Sequence, residues 1–124
     1  MRYLVIVLSM LLGCACWAAQ SKTLYMSEGK LMKVSVSPGR STVLSFPAKP
    51  SKVILGNSGL FAVEYVENDL ALAALQAPAH SNLFVYLEGR RYGFDLRTVP
   101  TGGDDVLFIR DGKSRRLKVR IKND

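Results

Sequence analysis

The stretch SNLFVYLEGRRYGFDL, residues 81–96, holds two short runs in which apolar and polar positions alternate on either side of Glu88-Gly89-Arg90-Arg91. Leu83, Val85 and Leu87 share one parity in the first run, and Tyr92, Phe94 and Leu96 share one parity in the second. A period of two belongs to extended chain, where successive side chains point to opposite faces, so each run predicts a strand with one apolar face. Gly89-Arg90 predicts the connection as a type II′ turn with glycine in its first central position. On this reading Tyr92, Phe94 and Leu96 meet Leu83, Val85 and Leu87 on the core side of a hairpin, while Arg91, Gly93 and Asp95 lie on the other side.

The same period recurs in both directions along the chain. Leu31 to Val36 alternates and runs into Ser37-Pro38-Gly39-Arg40, whose Pro-Gly order predicts a type II turn. Ser41 to Phe46 is the next predicted strand, closed by Pro47 and Pro50, and Lys52 to Gly56 is a short run with Val53, Ile54 and Leu55 that reads as buried. Phe61 to Val66 and Leu70 to Leu75 flank the turn-prone Glu67-Asn68-Asp69 and predict a second hairpin. The alanines of the 70–75 run favour helix, yet the run is too short for one, since a helix needs roughly 10 to 12 residues. Val106 to Arg110 and Arg115 to Ile121 flank Asp111-Gly112, a strong hairpin signal. Short strands at this spacing, with no amphipathic helix of useful length, predict an all-β fold: a single β-sandwich, immunoglobulin-like or similar, of about 7 to 9 strands over residues 19–124.

The first 20 residues, MRYLVIVLSMLLGCACWAAQ, place Arg2 before an apolar run and end it in small residues. This is the layout of an export signal covering residues 1–18, and the apolar run is far short of the roughly 20 residues a membrane-spanning helix needs. Two cleavage patterns are legible. Cys16-Trp17-Ala18 puts small residues where an ordinary signal peptidase reads, which implies a soluble periplasmic protein. Leu11-Leu12-Gly13-Cys14 resembles a lipobox, which implies an outer-membrane lipoprotein acylated on Cys14. Cys14 and Cys16 are the only cysteines, so ordinary cleavage leaves a mature chain without a disulfide, and neither cysteine is positioned for a zinc site.

The formal charge of +7 is concentrated at the carboxy end, where residues 110–124 carry seven Lys or Arg against two Asp or Glu. In the predicted last strand Arg116, Lys118, Arg120 and Lys122 line one face and Leu117, Val119 and Ile121 the other. With Arg110 and Arg115 these cations either keep an exposed strand from pairing with another chain or meet an acidic protein or an anionic membrane surface. Nucleic acid is the weakest of the partners, because no aromatic platform is interleaved with the charge. Catalytic signals are sparse. His80 is the single histidine and reads as solvated polar surface in a loop entering a strand; Gly102-Gly103-Asp104-Asp105 reads as a turn, and its adjacent carboxylates are a weak cation signal. The expectation is a protein without enzymatic activity, metal or cofactor.

Taken with Phe46-Pro47 and Gly56, the residues Asn82-Leu83 and Arg91-Tyr92-Gly93-Phe94-Asp95-Leu96 resemble the amino-terminal domain of the CagX and TrbG-type family, the ninth subunit of the VirB-like type IV secretion apparatus. The resemblance covers roughly residues 24–99. It departs from the family at Gly56-Asn57, where the family has Gly-Asp, and at Phe61, which fills a tryptophan position. The family continues into a second β domain, and the resemblance is to the first module alone. It implies a structural role through protein-protein contacts with other envelope or secretion-complex proteins, and homo-oligomerisation. Two further readings stand beside it: a free-standing exported binding module or adaptor, and a domain like those at the amino end of secretins and pilus-assembly proteins.

Overall fold

The computed structural model describes residues 21–27 and 29–112. Nine strands follow one another: β1 (Ser21–Met26), β2 (Leu31–Val36), β3 (Ser41–Ser45), β4 (Lys52–Leu55), β5 (Phe61–Val66), β6 (Asp69–Ala74), β7 (His80–Leu87), β8 (Arg90–Thr98) and β9 (Val106–Asp111). They form a five-stranded sheet in the order β1-β9-β3-β6-β5 and a four-stranded sheet in the order β2-β8-β7-β4. The all-β sandwich expected from the alternation is therefore present. Its sheets are mixed: β1 with β9, β2 with β8 and β3 with β9 pair in parallel, alongside the antiparallel hairpin pairings.

One apolar cluster fills the space between the sheets. Met26, Leu44, Phe61, Leu70, Leu72, Leu107 and Ile109 come from the larger sheet, and Val34, Val36, Leu83, Val85, Tyr92, Phe94 and Leu96 from the smaller. Phe46, just past β3, meets Phe94 edge to face, with ring centroids 6.1 Å apart and planes at 84°, the geometry favoured by the ring quadrupoles. Leu83 stands opposite Phe94 and Val85 opposite Tyr92, so the core faces of the β7-β8 hairpin are those its alternation predicted. The 70–75 run is strand as well: Leu70 and Leu72 point inward from β6 and are fully buried.

Three local expectations need correction, and one strand has no counterpart among those predicted. The β7-β8 turn is Glu88-Gly89, not Gly89-Arg90: Leu87 pairs with Arg90, and both turn residues take positive φ, 50° at Glu88 and 76° at Gly89. That is the pattern of a type I′ turn, and the register is set by the buried pairs, because a one-residue slip would turn the core side chains outward. The Lys52–Leu55 run is an edge strand whose residues are exposed or half-buried rather than buried. Ser21–Met26, which carries no clear alternation, is a strand; only Leu24 and Met26 turn toward the core. Asp111, expected in a turn, is the last residue of β9, and β9 is flanked by β1 and β3 along Val106–Phe108, leaving no edge there for a hairpin partner. The predicted return strand at 115–121 lies outside the described residues.

The β2-β8 and β3-β9 parallel pairings go with two crossings that lie side by side. The β2-β3 connection and the β8-β9 connection both pass from the smaller sheet to the larger. The first turns at Pro38-Gly39, where Arg40 N donates to Ser37 O at 3.2 Å and Gly39 has φ 77°, the type II turn the sequence predicts. The second is laced to it. Val99 N donates to Val36 O at 3.0 Å, Asp104 N to Ser35 O at 2.7 Å and Val43 N to Asp105 O at 2.8 Å. Asp104 Oδ2 accepts from Ser35 N at 2.9 Å, Thr42 Oγ1 donates to the Asp104 carbonyl at 2.5 Å, and Gly103 N donates to Ser37 Oγ at 2.8 Å. The side chains of Asp104 and Asp105 also pair with Lys22 at 3.5 Å and Arg40 at 2.9 Å. The adjacent carboxylates are therefore clamps of the fold. Ser37 and Thr42 are the buried polar residues of the described chain, and both hydroxyls have partners.

Gly103 is required by this lacing. A Cβ there would stand 2.7 Å from Ser37 N and 3.0 Å from Ser35 O, backbone atoms that cannot step aside. Gly103→Ala should cost about 1–3 kcal/mol by forcing the crossings apart, read as a lower urea midpoint at unchanged slope. Thr101→Ala, on the exposed part of the same connection, should stay within about 0.5 kcal/mol.

Candidate interaction face

The outer side of the smaller sheet gathers residues from four strands into cross-strand rows. One row runs Leu31, Gly93, Phe84, Ile54 across β2, β8, β7 and β4. On one side of it lie Arg91, Tyr86 and Lys52, and on the other Lys33, Asp95 and Asn82, followed by Ser35, Arg97 and His80. The sheet thus presents an apolar stripe edged by four permanent cations and one carboxylate. Leu31 is 54% exposed and Ile54 42%, values that core residues do not show.

Each part of the stripe has a local cause. Gly93 has no side chain, so Leu31 and Phe84 close over it, and a Cβ there would collide with Leu31 Cδ2 and approach Phe84 Cε1 to 3.2 Å. The Arg91 guanidinium lies over the Phe84 ring, 5.9 Å from its centroid, where the ring face attracts a cation. Asp95 is held by the His80 Nε2 contact and by Arg97 Nη2 at 4.0 Å. His80 is the first residue of β7 rather than part of a loop, and its ring, 58% exposed, sits with the cations of the face.

The residues singled out in the sequence separate into three groups. Phe46, Leu83, Tyr92, Phe94 and Leu96 are core, and Pro47 is exposed beside them. Arg91, Asn82 and Gly56 belong to the outer face of the smaller sheet. Gly56 and Asn82 form one contact: Gly56 N donates to Asn82 O at 2.9 Å, and a Cβ on Gly56 would collide with Asn82 Oδ1 and reach Ser81 Oγ at 3.0 Å. Asn57 N also donates to Ser81 Oγ at 3.0 Å. Asn82 thus acts by lying over the end of β4, where glycine leaves it room.

The basic candidates fare differently. Arg110 is half-buried, donating to Ile109 O at 2.7 Å and Ser45 O at 3.5 Å with its guanidinium 5.7 Å from the Phe108 ring centroid. It lies on the larger sheet, away from the cationic face. Arg115, Arg116, Lys118, Arg120, Lys122 and Cys14 lie outside the described residues. Lys33, Lys52 and Arg97, with Leu31, Phe84 and Ile54, were not singled out by sequence reasoning. The signal was there as one outward-parity residue per strand, but it becomes a patch only once strand order is known.

No protein-family model and no curated protein matches this chain. Among the described residues no group of three His, Cys, Asp or Glu is placed to hold a metal ion, and no helix is long and apolar enough to cross a membrane. What the face offers chemically is an apolar anchor point ringed by cations, the composition that seats an apolar side chain flanked by carboxylates.

The Gly56 contact is testable by a double-mutant cycle. Gly56→Ala should destabilise by about 1 kcal/mol or more, and most of that loss should vanish in an Asn82→Ala background, a coupling of about 0.5 kcal/mol or more by urea unfolding.

Proposed function

We propose that this protein is an exported, non-enzymatic structural component of a cell-envelope assembly, of the kind represented by the amino-terminal domain of the CagX and TrbG-type secretion subunit. It works through protein-protein contacts at the outer face of the smaller sheet. The observation that carries this reading is the outward row Leu31, Gly93, Phe84, Ile54, exposed at Leu31 and Ile54 and half-buried at Phe84, bordered by Lys33, Lys52, Arg91 and Arg97. An apolar stripe left open in water is a contact surface in waiting, and its cationic border selects acidic partners and speeds their approach.

Three further points support it. The export layout of residues 1–18 directs the chain to the envelope. Of the residues that carry the family resemblance, Phe46, Leu83, Tyr92, Phe94 and Leu96 pack the core and Gly56 and Asn82 meet at the end of β4, while Arg91 and Asp95 lie on the proposed contact face. Among the described residues the strands β4 and β5 end their sheets, and a backbone edge so placed is of the type that takes an added strand.

A photo-crosslinking residue at Ile54, introduced in the native host, should give adducts with identified subunits of an envelope secretion complex. The Lys52→Glu/Arg91→Glu variant should lose these adducts while its thermal midpoint stays put. Adducts that survive the charge reversal, or that form only from positions on the opposite sheet, would overturn the assignment of the face.

A further inference from the structure

We infer that the occupant of the cationic face is the β5-β6 hairpin of a second copy of this chain. This deepens the reading above and rests on it, since it names a partner for the same face. The inference starts from how charge is distributed in space. From Val53 to Gly89 the chain contains no Lys or Arg, and this stretch includes the whole of β5 and β6. At their turn Glu64 and Glu67 are exposed and Asp69 is half-buried. Between these carboxylates stand Tyr65 and Val66, 52% and 51% exposed. The hairpin is therefore an apolar tip set among carboxylates, the counterpart of an apolar stripe set among cations.

The ion pairs of the fold sharpen this. Asp104 pairs with Lys22, Asp105 with Arg40, Asp111 with Arg90 and Asp95 with Arg97, and His80 Nε2 also contacts Asp95. Among the described residues Glu64, Glu67 and Asp69 make no ion pair, and neither do Lys33, Lys52 and Arg91. Among the described residues unmatched charge thus gathers in two places, Glu64, Glu67 and Asp69 at one edge of the larger sheet and Lys33, Lys52 and Arg91 on the outer face of the smaller, while Lys30, Lys49 and Glu88 stand singly in connections. The two surfaces cannot meet within one molecule, because that face points away from the sheet that carries the hairpin. They can meet between molecules, Tyr65 and Val66 against the Leu31-Phe84-Ile54 stripe and the carboxylates against the flanking cations.

Such a contact uses different surfaces on the two copies. It leaves a free hairpin at one end and a free face at the other, so it propagates into a closed ring if the rotation between copies closes and into a filament if it does not. Tyr65 supplies a rigid aromatic anchor, the residue type that carries much of the energy in protein interfaces.

The test uses the mature protein, purified after export, in sedimentation and light-scattering experiments. The wild-type mass should rise with concentration and fall back toward the monomer as salt is raised, because the exposed charges are then screened. Glu64→Lys/Glu67→Lys should weaken association by at least about tenfold, and Lys33→Glu/Lys52→Glu should do the same. The combined variant, with both surfaces reversed, should associate again, which simple damage to the fold would not produce; circular dichroism checks that each variant is folded. A wild-type protein that stays monomeric at its highest soluble concentration overturns the inference. So does association that either reversal leaves unchanged, or that the combined variant fails to restore. If the purified protein is monomeric while Ile54 still crosslinks to other envelope subunits, the contact face stands and self-docking falls; if the crosslinks also vanish, both readings fall.

Discussion

The hydrogen bonds between the β2-β3 and β8-β9 crossings are the constraint on which the rest of the sandwich depends. Burial of apolar surface draws two sheets together but is non-directional, so it leaves open how far one slides along the other. The lacing removes that freedom. With Asp104 bonded to Ser35 and Thr42, and Gly103 to Ser37, Val36 is held beside Thr98 in one sheet and Val43 beside Val106 in the other. A single set of polar contacts therefore sets the register in both sheets at once. Breaking one of them strands a part-buried donor or acceptor, at about 1–3 kcal/mol for each group left unsatisfied.

The cationic face follows from that register. Because β2 is held in parallel alongside β8, Leu31 falls opposite Gly93 and reaches over it from one side as Phe84 does from the other, and the row continues to Ile54 through the antiparallel β7-β4 pairing. A slip of one residue would place Met32 there and turn Val34 and Val36 out of the core. The same geometry brings Lys33, Arg91, Arg97 and Lys52 onto one surface. Among the described residues charge is sorted by position as well: Lys33, Lys52, Arg91 and Arg97 lie on the outer side of the smaller sheet, and Glu64, Glu67 and Asp69 at the β5-β6 edge of the larger.

Much of the fold was legible locally. The two faces of residues 81–96, the Pro38-Gly39 turn and the strand nature of the alanine-rich 70–75 run all follow from period, length and turn chemistry within a few residues. The errors have equally local causes. Glu88, not Arg90, shares the turn with Gly89 because core pairing overrode the preference for glycine in the first position. Ser21–Met26 escaped notice because its strand character comes from lying beside β9, not from alternation. Asp104 and Asp105 looked like a turn with spare carboxylates, and only the facing crossing shows that their oxygens are taken. Gly56 and Asn82 were marked by resemblance alone, and their physical link is steric: a missing Cβ in one admits the side chain of the other.

By itself, then, the sequence determined that the chain builds short strands and which side chain of each turns inward, because a period of two is a property of extended backbone and needs no partner. It also holds the residue patterns on which an exported, structural role is proposed. Tertiary structure alone decided which strands are neighbours, that three of the pairings are parallel, and that isolated outward residues on four strands form one surface. The reason is that parallel partners must come from segments distant in the chain. Their pairing is selected by long-range contacts such as those of Asp104 and Phe94, which leave no periodic mark in the residues they join.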